Sequence, residues 1–199
     1  MLTNPIQLLL SPKNYWQEFA RAPESRFKTF IPYLMLMAII APVSWYFGTT
    51  QIGWQVGDGQ VTRLTDESAL RIAAVLYIVL ILSVVAIGYA VHWMAGTYGS
   101  ESTFLKGVAF ASLTATPFFV LSLAGLYPIL WLDMLVGLLA ITWSTYLLFK
   151  GIPVAMGIPE DQGFMYASAL VAVVLVIFLV LLGTTAILWD NGFLPVFTD

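Results

Sequence analysis

The chain has 199 residues, of which 60% are hydrophobic and only 10% charged, with a net charge of −3 and a mean hydropathy of +0.89. An average soluble domain carries roughly 25% charged residues, so this is the composition of an integral membrane protein. The absence of cysteine excludes disulfides, thiolate metal sites and thiol nucleophiles, and the scattered charges offer nucleic acid no basic stripe.

Ahead of the first long apolar run, "SPKNYWQEFARAPESRFK" (11–28) predicts an amphipathic interfacial helix. Ser11 is placed to cap it and Pro12 suits its first position; Tyr15, Trp16 and Phe19 share one face, with Lys13, Gln17 and Arg21 elsewhere. Such a face rests either on the inner leaflet or on the protein's own spans. No small-residue cleavage site follows the first apolar run promptly, so residues 1–26 read as a retained arm rather than a cleavable signal.

Five apolar stretches follow, at about Phe27–Phe47, Ala69–Ala95, Phe104–Leu126, Pro128–Phe149 and Met165–Trp189, each long enough for a bilayer core of about 30 Å. The expected fold class is all-α integral membrane, with five transmembrane helices in residues 27–199 behind the arm. Lys13, Arg21, Arg26 and Lys28 precede the first span, Lys106 begins the third and Lys150 ends the fourth, against Arg63 and Arg71 on the other side. Basic residues stay inside, which predicts a cytoplasmic N-terminus and an external, periplasmic C-terminus. Trp45, Tyr46, Trp54, Tyr127, Trp131 and Trp189 then form an outer aromatic belt. No repeat of helix pairs is visible, so the inverted-repeat signature of many transporters is missing.

In chain order, Arg71 opens the list of candidate functional residues, near the outer end of the second span. His92, the single histidine, lies near that span's inner end; with no second ligand nearby it suggests a structural contact or a pH-sensitive one rather than a metal site. Pro117 in "LTATPFF" should kink the third span, with Thr114 and Thr116 close to the freed backbone groups; Pro32 and Pro42 should bend the first. Asp133 is the one carboxylate inside a predicted span, with Arg71 as its natural partner; it is either an interfacial ion pair or a proton or cation site. The small residues Gly88, Ala90, Gly137 and Ala140 predict close helix contacts. No serine-hydrolase elbow, zinc-protease helix, phosphate loop or close acid pair is present, so no enzymatic activity, cofactor or metal is expected.

The tripeptide Gly-Ile-Pro occurs twice, in "LLFKGIPVAMGIPED" (147–161). Lys150 complements the negative end of the fourth helix, Gly151 suits a left-handed cap and Pro153 stops the helix, so the first copy reads as a stop signal. Pro159 followed by Glu160 and Asp161 reads as a start signal. Between them Ile152, Val154, Ala155, Met156 and Ile158 predict a rigid connector tucked against the bundle, serving as architecture or as a docking corner.

This stretch, together with "YGSESTFLKGVAFASLTATPFFVLSLAGLYP" (98–128), resembles the bacterial branch of the Ypt-interacting-protein (Yip) domain family, in which a Gly-Ser turn, a Thr-Pro pair and a Lys-Gly-Ile-Pro ending recur. The resemblance implies five spans with a cytoplasmic N-terminus in a bacterial inner membrane. Eukaryotic members are associated with Rab-type GTPases, vesicle traffic and membrane shaping, but their Asp-Leu-Tyr-Gly-Pro motif is absent here, so the implied GTPase partnership does not carry over. The expected function is a non-enzymatic scaffold organising membrane lipids or a protein partner, another copy of the chain included, through the arm, the Gly-Ser turn and the Lys150–Pro153 corner. The alternative is a transporter or channel for a small ion or lipid, built on Asp133, Arg71 and the Pro117 kink.

Overall fold

The computed structural model describes residues 5–55 and 59–198. The arm consists of α1 (Pro5–Leu10) and α2 (Pro12–Ala20), divided at Ser11. Pro12 takes the first-turn position, as its fixed φ favours, whereas the Ser11 side chain makes no capping bond; the Ser11 N–H instead donates to the Gln7 carbonyl at 2.9 Å.

Five helical stretches have the length and composition to cross a membrane: Glu24–Ile52, Asp66–Tyr98, Phe104–Leu126, Leu130–Met156 and Glu160–Asp190. The first contains α3 (Phe30–Ala38) and α4 (Ile40–Phe47), separated at Ile39. Pro42 explains the break, since it has no N–H to offer the Ala38 carbonyl. Pro32 sits in the first turn of α3, where a missing N–H costs little. After a short strand, β1 (Arg63–Leu64), comes α5 (Asp66–Ala95), capped by Thr65 and carrying Asp66 and Glu67 at its positive end. The third span divides at Ala115 into α6 (Phe104–Thr114) and α7 (Thr116–Leu121), immediately before Pro117, so the expected kink is a true break. The fourth and fifth spans are α8 (Leu130–Met156) and α9 (Glu160–Asp190). The chain then returns as β2 (Phe197–Thr198), antiparallel to β1 with Arg63 opposite Thr198 and Leu64 opposite Phe197.

The third span is the centre of the bundle: every residue from Gly107 to Thr114 is buried. Its run of small and hydroxyl side chains lets neighbouring backbones approach closely, the usual basis of helix association where lipid is the solvent. Against α5 the approach is closest at two facing glycines. A Cβ on Gly88 would lie 2.6 Å from Val108 Cα, and one on Gly107 would overlap the Gly88 carbonyl. The two most apolar spans, the second and the fifth, are the least buried, because their Leu, Ile and Val side chains meet acyl chains rather than protein. Ala90 and Ala140 are buried as their size suggests, but nothing lies within 4 Å of a Cβ built on Gly137, so that glycine makes no close contact within the chain.

The first Gly-Ile-Pro is not a stop. α8 runs through Gly151 and Pro153 and ends three residues beyond, where Gly157 adopts the left-handed conformation (φ 66°) and the Ile158 N–H reaches back 3.1 Å to the Pro153 carbonyl. Proline removes only its own N–H bond, and Pro153 forfeits just the bond to Phe149; the left-handed glycine then closes the helix with a six-to-one bond. The second Gly-Ile-Pro therefore both stops one helix and starts the next, with Glu160 and Asp161 in the first turn of α9. The anticipated burial of the connector holds for Ile152, Ala155, Met156 and Ile158, although all but Ile158 are helical.

Candidate functional site

The residues singled out by the sequence divide between the two ends of the bundle. At the end that carries the arm, α2 lies on α8 and buries Tyr15, Trp16 and Phe19 completely. The amphipathic face thus rests on the protein's own spans. Gly151 makes the seat: a Cβ there would stand 2.7 Å from Trp16 Cε2 and 2.8 Å from Phe110 Cε2. The Trp16 and Phe110 rings lie 4.8 Å apart at 34°, and Phe19 continues the cluster to Phe27 at 5.0 Å. Two turns of sequence thereby lock the arm, the third span and the fourth span together.

Pro153 is the companion device. Its ring fills the gap opposite Gly163 on α9, where a Cβ would meet Pro153 Cγ at 2.5 Å. Below it, the Ser100 hydroxyl donates to the Met156 carbonyl at 2.7 Å, fastening the Gly-Ser turn to the end of α8. Tyr98 stacks on Tyr166 with ring centroids 4.7 Å apart, and the Tyr166 hydroxyl donates to the Val91 carbonyl. His92 Nδ1 lies 2.5 Å from the Ser102 carbonyl, a contact that closes the same turn.

Thr116 has a role the sequence left half visible. Its hydroxyl lies 2.7 Å from that of Tyr33, wholly within the bundle, and 3.2 Å from the Ser112 carbonyl. The partner Tyr33 was not anticipated; a tyrosine among "FIPYLMLMA" is the one signal that this stretch faces something polar. Ser112 and Thr114 donate to the carbonyls of Val108 and Ala111 in their own helix at 2.7 and 3.0 Å. The Tyr15 hydroxyl and the Trp16 indole N–H, both buried, have no hydrogen-bond partner among the described residues. Burial pushes the Tyr15 hydroxyl well above the usual phenol range, with Tyr33 and Glu18 adding to the shift, so it stays protonated.

At the same end Lys13, Arg21, Arg26, Lys28 and Lys150 are all exposed, and so are Glu24, Glu101, Glu160 and Asp161. The arm end therefore combines an apolar interlock with a charged rim of both signs, in which the four cations of residues 11–28 outnumber Glu18 and Glu24.

The opposite end does not assemble the expected pair. Arg71 meets Glu67 at 3.5 Å, four residues back on its own helix, and Asp133, half-buried in the first turn of α8, has no ion-pair partner among the described residues. Helical spacing explains the outcome, since a carboxylate one turn away is always within reach of an arginine. Pro117 is buried at the break of the third span. Sequence reasoning also missed the tail: the Thr65 N–H donates to the Val196 carbonyl at 2.9 Å and the Val196 N–H to Ser68 Oγ at 3.0 Å, strapping the end of α9 to the start of α5.

A five-span helical bundle fastened by its own N-terminal arm defines a multi-pass integral membrane protein. The chain belongs to the Yip1 domain family, whose model matches residues 6–181. It is similar to the inner membrane protein YohC of Escherichia coli strain K12, 34% identical over 186 residues that cover 94% of this chain and 95% of the relative. YohC of Escherichia coli O6:H1 matches to the same extent. No solved structure matches the chain.

Proposed function

We propose that the protein is a non-enzymatic scaffold of the bacterial inner membrane that organises anionic lipid headgroups or a protein partner from its arm end, with the N-terminus cytoplasmic and the C-terminus periplasmic. One observation carries this reading: the family's distinctive residues, Gly151, Pro153 and the Gly-Ser turn, converge at the end that carries the arm, where Lys13, Arg21, Arg26 and Lys28 outnumber Glu18 and Glu24. Cations just outside a span attract anionic lipid by about 1 kcal/mol each, and the same rim suits an acidic face on a partner. The family membership and the similarity to an inner membrane protein support an inner-membrane location.

The test is native purification in lipid nanodiscs followed by mass spectrometry of what stays bound. The triple variant Lys13→Glu, Arg21→Glu, Lys150→Glu alters only exposed side chains and should strip the companion, whether anionic lipid or protein, while Asp133→Asn retains it. Loss of a proton-linked transport activity in Asp133→Asn, with companions unchanged in the triple variant, would instead establish a transporter.

A further inference from the structure

We propose that the groove between α5 and α9, at the end away from the arm, binds one membrane phospholipid, its acyl chain between the helices and a phosphoethanolamine headgroup on the Arg71–Glu67 pair. The inference deepens the lipid-organising reading and rests on it, but uses a different surface. The groove exists because α9 packs only near the arm: its buried residues are Gly163, Tyr166, Ala167 and Leu170, and none lies beyond. The rest of α9 leaves a cavity of about 180 Å³ against α5, walled by Val75, Val79 and Leu188 and closed at the bundle's end by Phe193 of the returning tail. The tail's backbone bonds to Thr65 and Ser68 hold the two helices together there, so the width of the mouth is set by a strap instead of by side-chain packing.

The chemistry of the mouth selects the occupant. Arg71 and Trp189 line it; an indole favours the headgroup level, and a guanidinium suits a phosphate. From Arg71 the groove follows α5 as far as Val79, eight residues or about 12 Å into the bilayer, which suits an extended acyl chain and not a compact soluble anion. Arg71 and Glu67 touch through a single nitrogen–oxygen contact of 3.5 Å, with side chains 51% and 84% exposed. Donors of the guanidinium remain free for a phosphate, while the Glu67 carboxylate, with Asp66 beside it in sequence, favours an ammonium group and repels a purely anionic head.

The full chain is placed in nanodiscs of equal phosphatidylethanolamine, phosphatidylglycerol and phosphatidylcholine, and retained lipid is read by native mass spectrometry. With the arm's cations removed by the triple variant, the protein should still keep one phospholipid, with ethanolamine in excess. Val75→Trp, which fills the groove, and Arg71→Gln should each lower retention at least tenfold; Glu67→Gln should keep the lipid and lose the preference for ethanolamine over glycerol. Leu188→Trp reads the same quantity should Val75→Trp fail to fold. Equal retention in the wild type and the filled variants, or retention indifferent to headgroup, overturns the proposal. Companions that depend on the arm's cations while no groove lipid is found sink this inference alone; a groove lipid with no arm-dependent companion sinks the scaffold reading alone.

Discussion

At the scale of single residues the arm's attachment is a matter of one missing methyl group. Gly151→Ala places a Cβ within 2.8 Å of two aromatic rings that are themselves fully enclosed. Overpacking of this kind costs about 1–3 kcal/mol, so the variant should unfold at a lower temperature in detergent and expose the arm to protease. Trp16→Phe, combined with it, should recover part of the loss, a coupling that a double-mutant cycle measures directly. Tyr33→Phe removes the hydroxyl facing Thr116, whose bond to Ser112 survives; interhelical bonds in membranes are worth about 0.6 kcal/mol, and thermal unfolding should shift by no more than that implies. Asp133→Asn should leave stability unchanged, because the carboxylate has no ion pair to lose.

At the scale of helices, glycine placement separates contacts from surfaces. Gly107→Leu drives a side chain into the α5 backbone and should abolish recovery of a monodisperse protein, whereas Gly137→Leu meets open space and should purify like the wild type. Gel filtration of the two variants in the same detergent checks the contrast. The sequence marks both as equally small; which one touches a neighbour depends on rotation about the helix axis, and in a span apolar on every side no amphipathic stripe records that rotation. The amphipathic arm does carry such a stripe, and its buried face was legible to the residue. So were the third span and the breaks at Pro42 and Pro117, because proline acts through its own backbone. The length of α8 was not legible, because a proline inside a packed helix forfeits one bond while burial of Ile152, Ala155 and Met156 supplies more. The Arg71–Glu67 pair lay open in the spacing of four residues.

At the scale of the whole molecule, 30 residues of α5 and 31 of α9 give helices of about 45 Å, longer than the roughly 30 Å hydrocarbon core, so these spans tilt or project beyond it. The proposed orientation is directly testable, since the chain has no native cysteine to interfere. Asn191→Cys should react with an impermeant maleimide on intact cells and Thr97→Cys only after permeabilisation; the reverse pattern inverts the orientation.

The seat of Trp16 on Gly151 also orders events in time. The arm is made before its docking surface: Gly151 follows Trp16 by 135 residues, roughly 7 to 27 s at about 5–20 residues per second. During that interval Phe27 and Phe30, and later Phe110, are already available to Phe19 and Trp16, but the fourth-span side of the arm's apolar face lacks its seat. The arm's docking is therefore complete only after the fourth span has been made, long after the arm itself.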